Sequence, residues 1–172
     1  MSEAATAKSS VLDQIQQRKG LKDAEVSRID AFARRVAFTE SKGDPTAMQE
    51  SGGPGRGMYQ HEEGDSTKSL QNRVKNYEGS YGTIALTDED RKALKEGRVA
   101  DMSADGQTAV TIAGWVMKTP GDEVGELARG QYKMGQFWLD YHWSGAEEDR
   151  PAKQEQWVRE MVDYQRIHGG QR

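Results

Sequence analysis

Glu40 is the side chain whose position in the sequence points most directly to chemistry. It follows Val36 by four residues, Ala33 by seven and Ile29 by eleven. At 100° per residue these offsets fall within roughly 40° of one another, so the carboxylate continues the apolar stripe of its own helix. It also sits at the C-terminal end, where the helix dipole disfavours a negative charge. Partial burial acts in the same direction. Both effects raise the pKa, and a carboxylic acid that keeps its proton near neutral pH is a general acid. A glutamate at a frayed helix end, pointing into water, fits the same spacing, and Glu is rarely buried.

The helix that carries Glu40 is expected from about residue 24 to 41. Asp23 would serve as N-cap, and Glu25 in the first turn suits the dipole. Val26, Ile29, Ala33, Val36 and Ala37 give it a 3.6-residue period. Gly43 and Pro45 stop it. Residues 43–65 then read as a loop region, because five of the six residues Gly52-Gly53-Pro54-Gly55-Arg56-Gly57 bend or free the backbone. A short hairpin can form after that glycine run.

Further helices are expected with Leu70, Val74 and Tyr77 on one face, after Thr87, over 104–118, over 122–142 and after Asp149. In the last of these, Pro151 falls in the first turn, where proline is tolerated, and Trp157, Met161, Tyr164 and Ile167 form the stripe. Residues 1–10 read as a flexible leader, and Val11, Leu12 and Ile15 mark a weak helix ending at Gly20. The fold class is mainly α, with a Gly-rich loop or small hairpin after the Glu40 helix.

Around Glu40 the sequence runs Val36-Ala37-Phe38-Thr39-Glu40-Ser41-Lys42-Gly43-Asp44-Pro45-Thr46-Ala47. It continues with Gly53-Pro54-Gly55-Arg56-Gly57-Met58-Tyr59-Gln60. This resembles the signature of soluble lytic transglycosylases, in which an apolar helix ends in Glu-Ser. A proline follows five residues after the Glu, and a Gly-rich segment closes on an apolar residue and Gln. The spacing from Glu40 to Gln60 is slightly longer than in that family, and Tyr59 stands where Met is common. The downstream Ala-Tyr-Asn-x-Gly motif, whose Tyr holds the acid, has no counterpart. The nearest substitute is residues 131–143, with Tyr132, Phe137, Trp138, Tyr141 and Trp143. Aromatics at helical spacing usually belong to a core, which is the expectation for Trp138 and Tyr141. Tyr132 and Trp143 stay open between packing and substrate contact.

The resemblance implies a lysozyme-like domain over 21–172, preceded by a leader and short helix over 1–20. It implies cleavage of the β-1,4 bond between N-acetylmuramic acid and N-acetylglucosamine in peptidoglycan. Glu40 would be the catalytic acid and base, and Ser41, Gly57, Met58, Tyr59, Gln60 and Tyr132 the substrate contacts. No cofactor or metal is implied. Each neighbour also has an ordinary reading: Ser41 as a cap, Gly55 and Gly57 as a turn, Met58 and Tyr59 as packing, Gln60 as a tie between loop and helix. A hydrolytic variant would need a base, and Asp44, Glu50, Glu62 and Glu63 are the candidates.

Composition narrows the alternatives. The 172 residues are 34% hydrophobic and 30% charged, with 19 Gly, and the mean hydropathy is -0.92. The core must therefore be lean against the usual ~45–50% apolar share, a count that includes Gly. Lys+Arg 24 against Asp+Glu 28 gives a net charge of -4, which argues against a nucleic-acid surface. There are no cysteines, so thiol catalysis and disulfides are excluded. His61, His142 and His168 lack the His-Glu-x-x-His spacing of zinc hydrolases. No phosphate-binding Gly-rich loop and no Gly-x-Ser-x-Gly elbow is present.

No segment reaches the length of a membrane span, and residues 1–8 lack a signal-peptide layout. A wall-cleaving enzyme without an export signal would need delivery. The expectation is a bacteriophage protein, carried in the virion and acting on the cell wall, whose partners are glycan strands and other virion or tail proteins. A lysis enzyme released through a holin, or a structural virion protein retaining the fold without activity, fits the same sequence.

Overall fold

The apolar stripe that runs up to Glu40 forms as its period demands: α2 spans Asp23–Ser41, with Ile29, Phe32, Ala33, Val36 and Ala37 buried. Asp23 is its first helical residue, and the cap is made by the Glu25 side chain, which accepts from the Lys22 N–H. At its far end Lys42 takes a left-handed conformation with φ 56 and the Gly43 N–H donates to the Ala37 carbonyl. That closes the helix two residues beyond Glu40. Residues 4–49, 52, 55–62 and 65–169 are described in the computed structural model. For residues 62, 65 and 66 only the backbone is described.

The protein is mainly helical. α1 (Ala7–Lys19) precedes α2. A two-residue antiparallel pair, β1 (Gly55–Arg56) and β2 (His61–Glu62), follows it. Then come α3 (Asp65–Tyr81), α4 (Asp88–Lys95), α5 (Ala104–Lys118), α6 (Glu123–Ala128), α7 (Met134–Phe137) and α8 (Arg150–His168). α5 is the central element. Every residue from Gly106 to Val116 is buried, and α1, α3 and α6 pack on it. A helix apolar on nearly all sides belongs inside other helices. Among the described residues no helix is long and apolar enough to cross a membrane.

Three expectations change. The leader is shorter than ten residues. Thr6 and Ser9 form a reciprocal capping box that starts α1 at Ala7, and Ala7, Val11 and Ile15 join the core. Residues 1–3 of that leader lie outside the described residues. The expected helix over 122–142 is broken, because Gly130 takes φ +77 and the Gln131 N–H returns to the Glu126 carbonyl. The chain restarts at Met134 and continues as a π-helical turn over Trp138–His142. Finally, Ile167 is exposed, whereas Trp157 is buried and Met161 packs against the core.

Three polar residues interrupt the apolar surface of α5 and fix the Gly-rich segment. The Gln107 side chain accepts from the Met58 N–H at 2.8 Å and donates to the carbonyls of Pro45 and Met102, both at 2.9 Å. Thr108 Oγ1 donates to the Ala104 carbonyl and so accepts from the Tyr59 hydroxyl at 2.9 Å. Thr111 donates to the Gln107 carbonyl and so accepts from His61 Nε2 at 2.7 Å. These bonds satisfy buried polar groups that would otherwise be costly. They also set residues 57–61 beside the C-terminal end of α2.

Candidate functional site

Glu40 occupies the last turn of α2 with a side chain only 18% exposed. The Trp138 indole N–H donates to Glu40 Oε1 at 2.9 Å, and His142 Nε2 stands 3.7 Å from the same oxygen. Burial raises the Glu40 pKa to about 7, and the negative charge of Glu160 adds to the rise. The Trp138 hydrogen bond and the positive charge of Lys153 oppose it without cancelling it. The carboxyl is therefore close to half-protonated at neutral pH, as a group that must both give and take a proton should be.

His142 is held rather than free to titrate. Its Nδ1 accepts from the Trp115 indole at 3.1 Å, which leaves the proton on Nε2 to be donated to the Tyr59 carbonyl at 3.0 Å. Burial pushes its pKa down to about 4, so the ring facing Glu40 is neutral. One side chain thus couples α5, the segment carrying Tyr59 and the π-helical turn around the acid.

Glu40 lines a groove of about 750 Å³, with Tyr59, Gln60, Trp143, Lys153 and Glu160 among its other walls. That volume lies within the usual range for ligand clefts. Glu160 is a second carboxylate in the groove. Its Oε1 accepts from Gln156 at 3.1 Å and faces Lys42 at 3.4 Å, whereas its Oε2 is buried with no hydrogen-bond partner.

The sequence-derived candidates are distributed unevenly. Tyr59 and Gln60 border the groove, although the Tyr59 hydroxyl is committed to Thr108 and the Gln60 amide donates to the Gly57 carbonyl at 2.8 Å. Ser41 also borders it, but its hydroxyl lies within hydrogen-bond distance of the Ala37 and Met58 carbonyls and ties the segment to α2. Gly57 faces Gln107 and not the groove. Met58 lies in a separate cleft with Phe38 and Tyr164. Tyr132 donates its hydroxyl to Asp140 and does not reach Glu40. The reason is the backbone register: Gln107 captures the Met58 N–H, which turns Met58 away from the groove walls. Of the candidate bases, Asp44 is exposed and held ionised by hydrogen bonds from Thr46. Glu50 and Glu63 lie outside the described residues, as do Gly53 and Pro54, and of Glu62 only the backbone is described.

Lys153 and Glu160 were not singled out by the sequence, and Trp138 and His142 were named there only as an expected core residue and as a histidine without zinc-site spacing. Trp138 is 1% exposed and stacks on Trp157 at 5.3 Å, so its expected core role holds, yet its indole N–H is the donor to Glu40. Lys153, Gln156 and Glu160 recur at i, i+3 and i+7 on α8. Such a polar stripe reads as a solvated helix face unless the packing of that helix is known.

Trp138→Phe removes a donor that favours the ionised form of Glu40. The Glu40 pKa is expected to rise above its present value by about one unit, read by carbon NMR titration of the labelled carboxyl. An unchanged titration would show that the indole contributes nothing to the acid.

Searches against protein-family models, curated proteins and solved structures found no match for this chain.

Proposed function

We propose that the protein cleaves the glycan strands of peptidoglycan as a lytic transglycosylase with a lysozyme-like domain, using Glu40 as acid and then as base. The observation that carries this reading is a shielded carboxyl, half-protonated near neutral pH, on the wall of an open groove large enough for saccharide units. The Glu-Ser and Gly-Met-Tyr-Gln segments, which resemble that family, supply the groove's Glu40, Ser41, Tyr59 and Gln60.

Protonated Glu40 gives its proton to the bridging oxygen between N-acetylmuramic acid and N-acetylglucosamine, and the bond from the muramyl C1 to that oxygen breaks. The Glu40 carboxylate then takes the proton from the muramyl C6 hydroxyl, whose oxygen bonds to C1 and closes a 1,6-anhydro ring. The Trp138 indole steadies the carboxylate between the two transfers.

Glu160 favours a second reading, hydrolysis. A further carboxylate in the same groove has the chemistry to activate a water. Digestion of purified sacculi separates the two. The expected products carry 1,6-anhydromuramic acid and are lighter by one water than the reducing-end products of hydrolysis. Reducing ends that disappear in Glu160→Gln would assign the hydrolytic route. No clearing of a peptidoglycan gel by the wild type would leave the structural virion role. The proposal includes carriage in a bacteriophage particle, and detection of the chain by mass spectrometry in purified particles tests that part.

A further inference from the structure

Beside the groove lies a second, smaller cavity of about 190 Å³, and Tyr59, Gln60, His142 and Ser144 line both. Its outer wall carries two cations, Arg73 from α3 and Lys118 from the last turn of α5. Among the described residues neither is ion-paired. Lys8, Lys19, Arg34, Lys42, Arg91, Arg98, Arg129 and Arg150 all face carboxylates. Among the described residues no carboxylate lines the cavity to neutralise Arg73 and Lys118.

The surroundings weaken the hold of Lys118 and His61 on a proton. Burial against the wall, and then the charge of Arg73, hold the Lys118 ammonium below its ordinary pKa. Burial, and then the positive charges of Arg73 and Lys118, keep His61 neutral, with a pKa of about 3. The cavity therefore combines a neutral polar interior, with His61 and Thr111, and a positive rim. An anionic oxygen group entering it would relieve the repulsion between the two cations and accept hydrogen bonds from both. At about 190 Å³ the cavity has room for a carboxylate and the few atoms that carry it.

We propose that this cavity is a subsite for a carboxylate of the peptide stem that branches from the glycan, engaged while the sugar chain lies along the Glu40 groove. This rests on the peptidoglycan reading and adds a substrate feature to it. The shared walls Tyr59 and His142 place the subsite next to the acid without making it part of the reaction, because Glu40 does not line it. Arg73 and Lys118 bind and orient; neither moves a proton.

The test uses the full chain carrying Glu40→Gln, so that no turnover interferes. Three probes are titrated by calorimetry: N-acetylmuramyl dipeptide, N-acetylmuramic acid and chitobiose. Binding of the dipeptide at least ~10-fold tighter than that of chitobiose is expected, with the preference lost in Arg73→Met and Lys118→Met and weakened by salt. Equal affinity for dipeptide and chitobiose, or a preference unchanged in both Met variants, would overturn the subsite. N-acetylmuramic acid binding as tightly as the dipeptide would also overturn it, because the recognised carboxylate would then be the lactyl group. Clearing of sacculi by the wild type is measured alongside. A protein that clears sacculi but fails the titration loses the subsite alone. One that passes the titration but clears nothing loses the catalytic reading of Glu40 and keeps the subsite.

Discussion

Glu40→Gln is expected to abolish cleavage of sacculi and, at pH 8, to melt higher than the wild type. Loss of the acid removes the ~10²–10⁴-fold that positioned proton transfer contributes. The stability gain follows from the sign of the shift. Glu40 has a folded pKa of about 7 against an ordinary 4.5. Below pH 4.5 both folded and unfolded chains hold the proton and the group is neutral to stability. Between these values the unfolded chain releases its proton first, and stability declines as pH rises through the folded pKa. Above it, the folded state carries the whole cost of a charged, shielded carboxylate, at most about 3 kcal/mol. Glutamine keeps the carbonyl that accepts from Trp138 and carries no charge, so it removes that cost. With ~2–4 °C per kcal/mol for a chain of this length, a rise of several degrees, at most about 12 °C, is expected at pH 8, and none at pH 4. Parallel melting curves for the two proteins across that pH range would show that Glu40 is not held in a charge-averse site.

Gly57→Val is expected to unfold the protein or leave it barely stable. Gly57 has φ +78, a region that β-branched residues scarcely visit. A Cβ there would lie 2.4 Å from Gln107 Oε1. Gln107 is fully buried and makes hydrogen bonds to the backbone of Pro45, Met58 and Met102. Displacing it leaves the buried Met102 carbonyl and the part-buried Met58 N–H and Pro45 carbonyl without their partner, at up to ~1–3 kcal/mol each, on top of ~1–3 kcal/mol of backbone strain. That total rivals the ~5–15 kcal/mol of a whole domain. Gly52→Ala supplies the comparison: its φ is +72 but nothing lies within 4 Å, so only the strain, about 1 kcal/mol, should appear in urea unfolding. The sequence also pointed to Gly57, but through close approach of backbone to glycan. A Gly57→Val protein with native stability and no activity would restore that explanation.

The Glu40 helix was legible because an uninterrupted 3.6-residue period in its apolar residues is hard to produce by accident. The Gly-rich segment was legible as an interruption between helices because glycine and proline favour turns, although Gly55 and Arg56 within it form β1. What packs against that segment was not. Gln107, Thr108 and Thr111 sit within an apolar run, where the apolar majority sets the pattern and the polar minority does the anchoring. α1 was underestimated because Ala7, Ser9 and Ser10 are weakly hydrophobic, although the Thr6–Ser9 capping box is a purely local signal. Gly130, the residue that splits the expected 122–142 helix, was visible but isolated, and a lone glycine inside a helical pattern can be accommodated. Trp138 escaped notice as a donor for a different reason. Buried packing and hydrogen bonding through one indole are compatible, and residue type alone does not show which polar group lies within reach.

Gln107, Thr108 and Thr111 clamp residues 57–61 from a single buried helix, and the freedom of that stretch is therefore surrendered as the chain folds. A ligand resting on Tyr59 and Gln60 meets a wall already in its final shape, with little disorder left to quench on encounter. Discrimination at this surface should then come from rejecting molecules of the wrong outline and not from adapting to them.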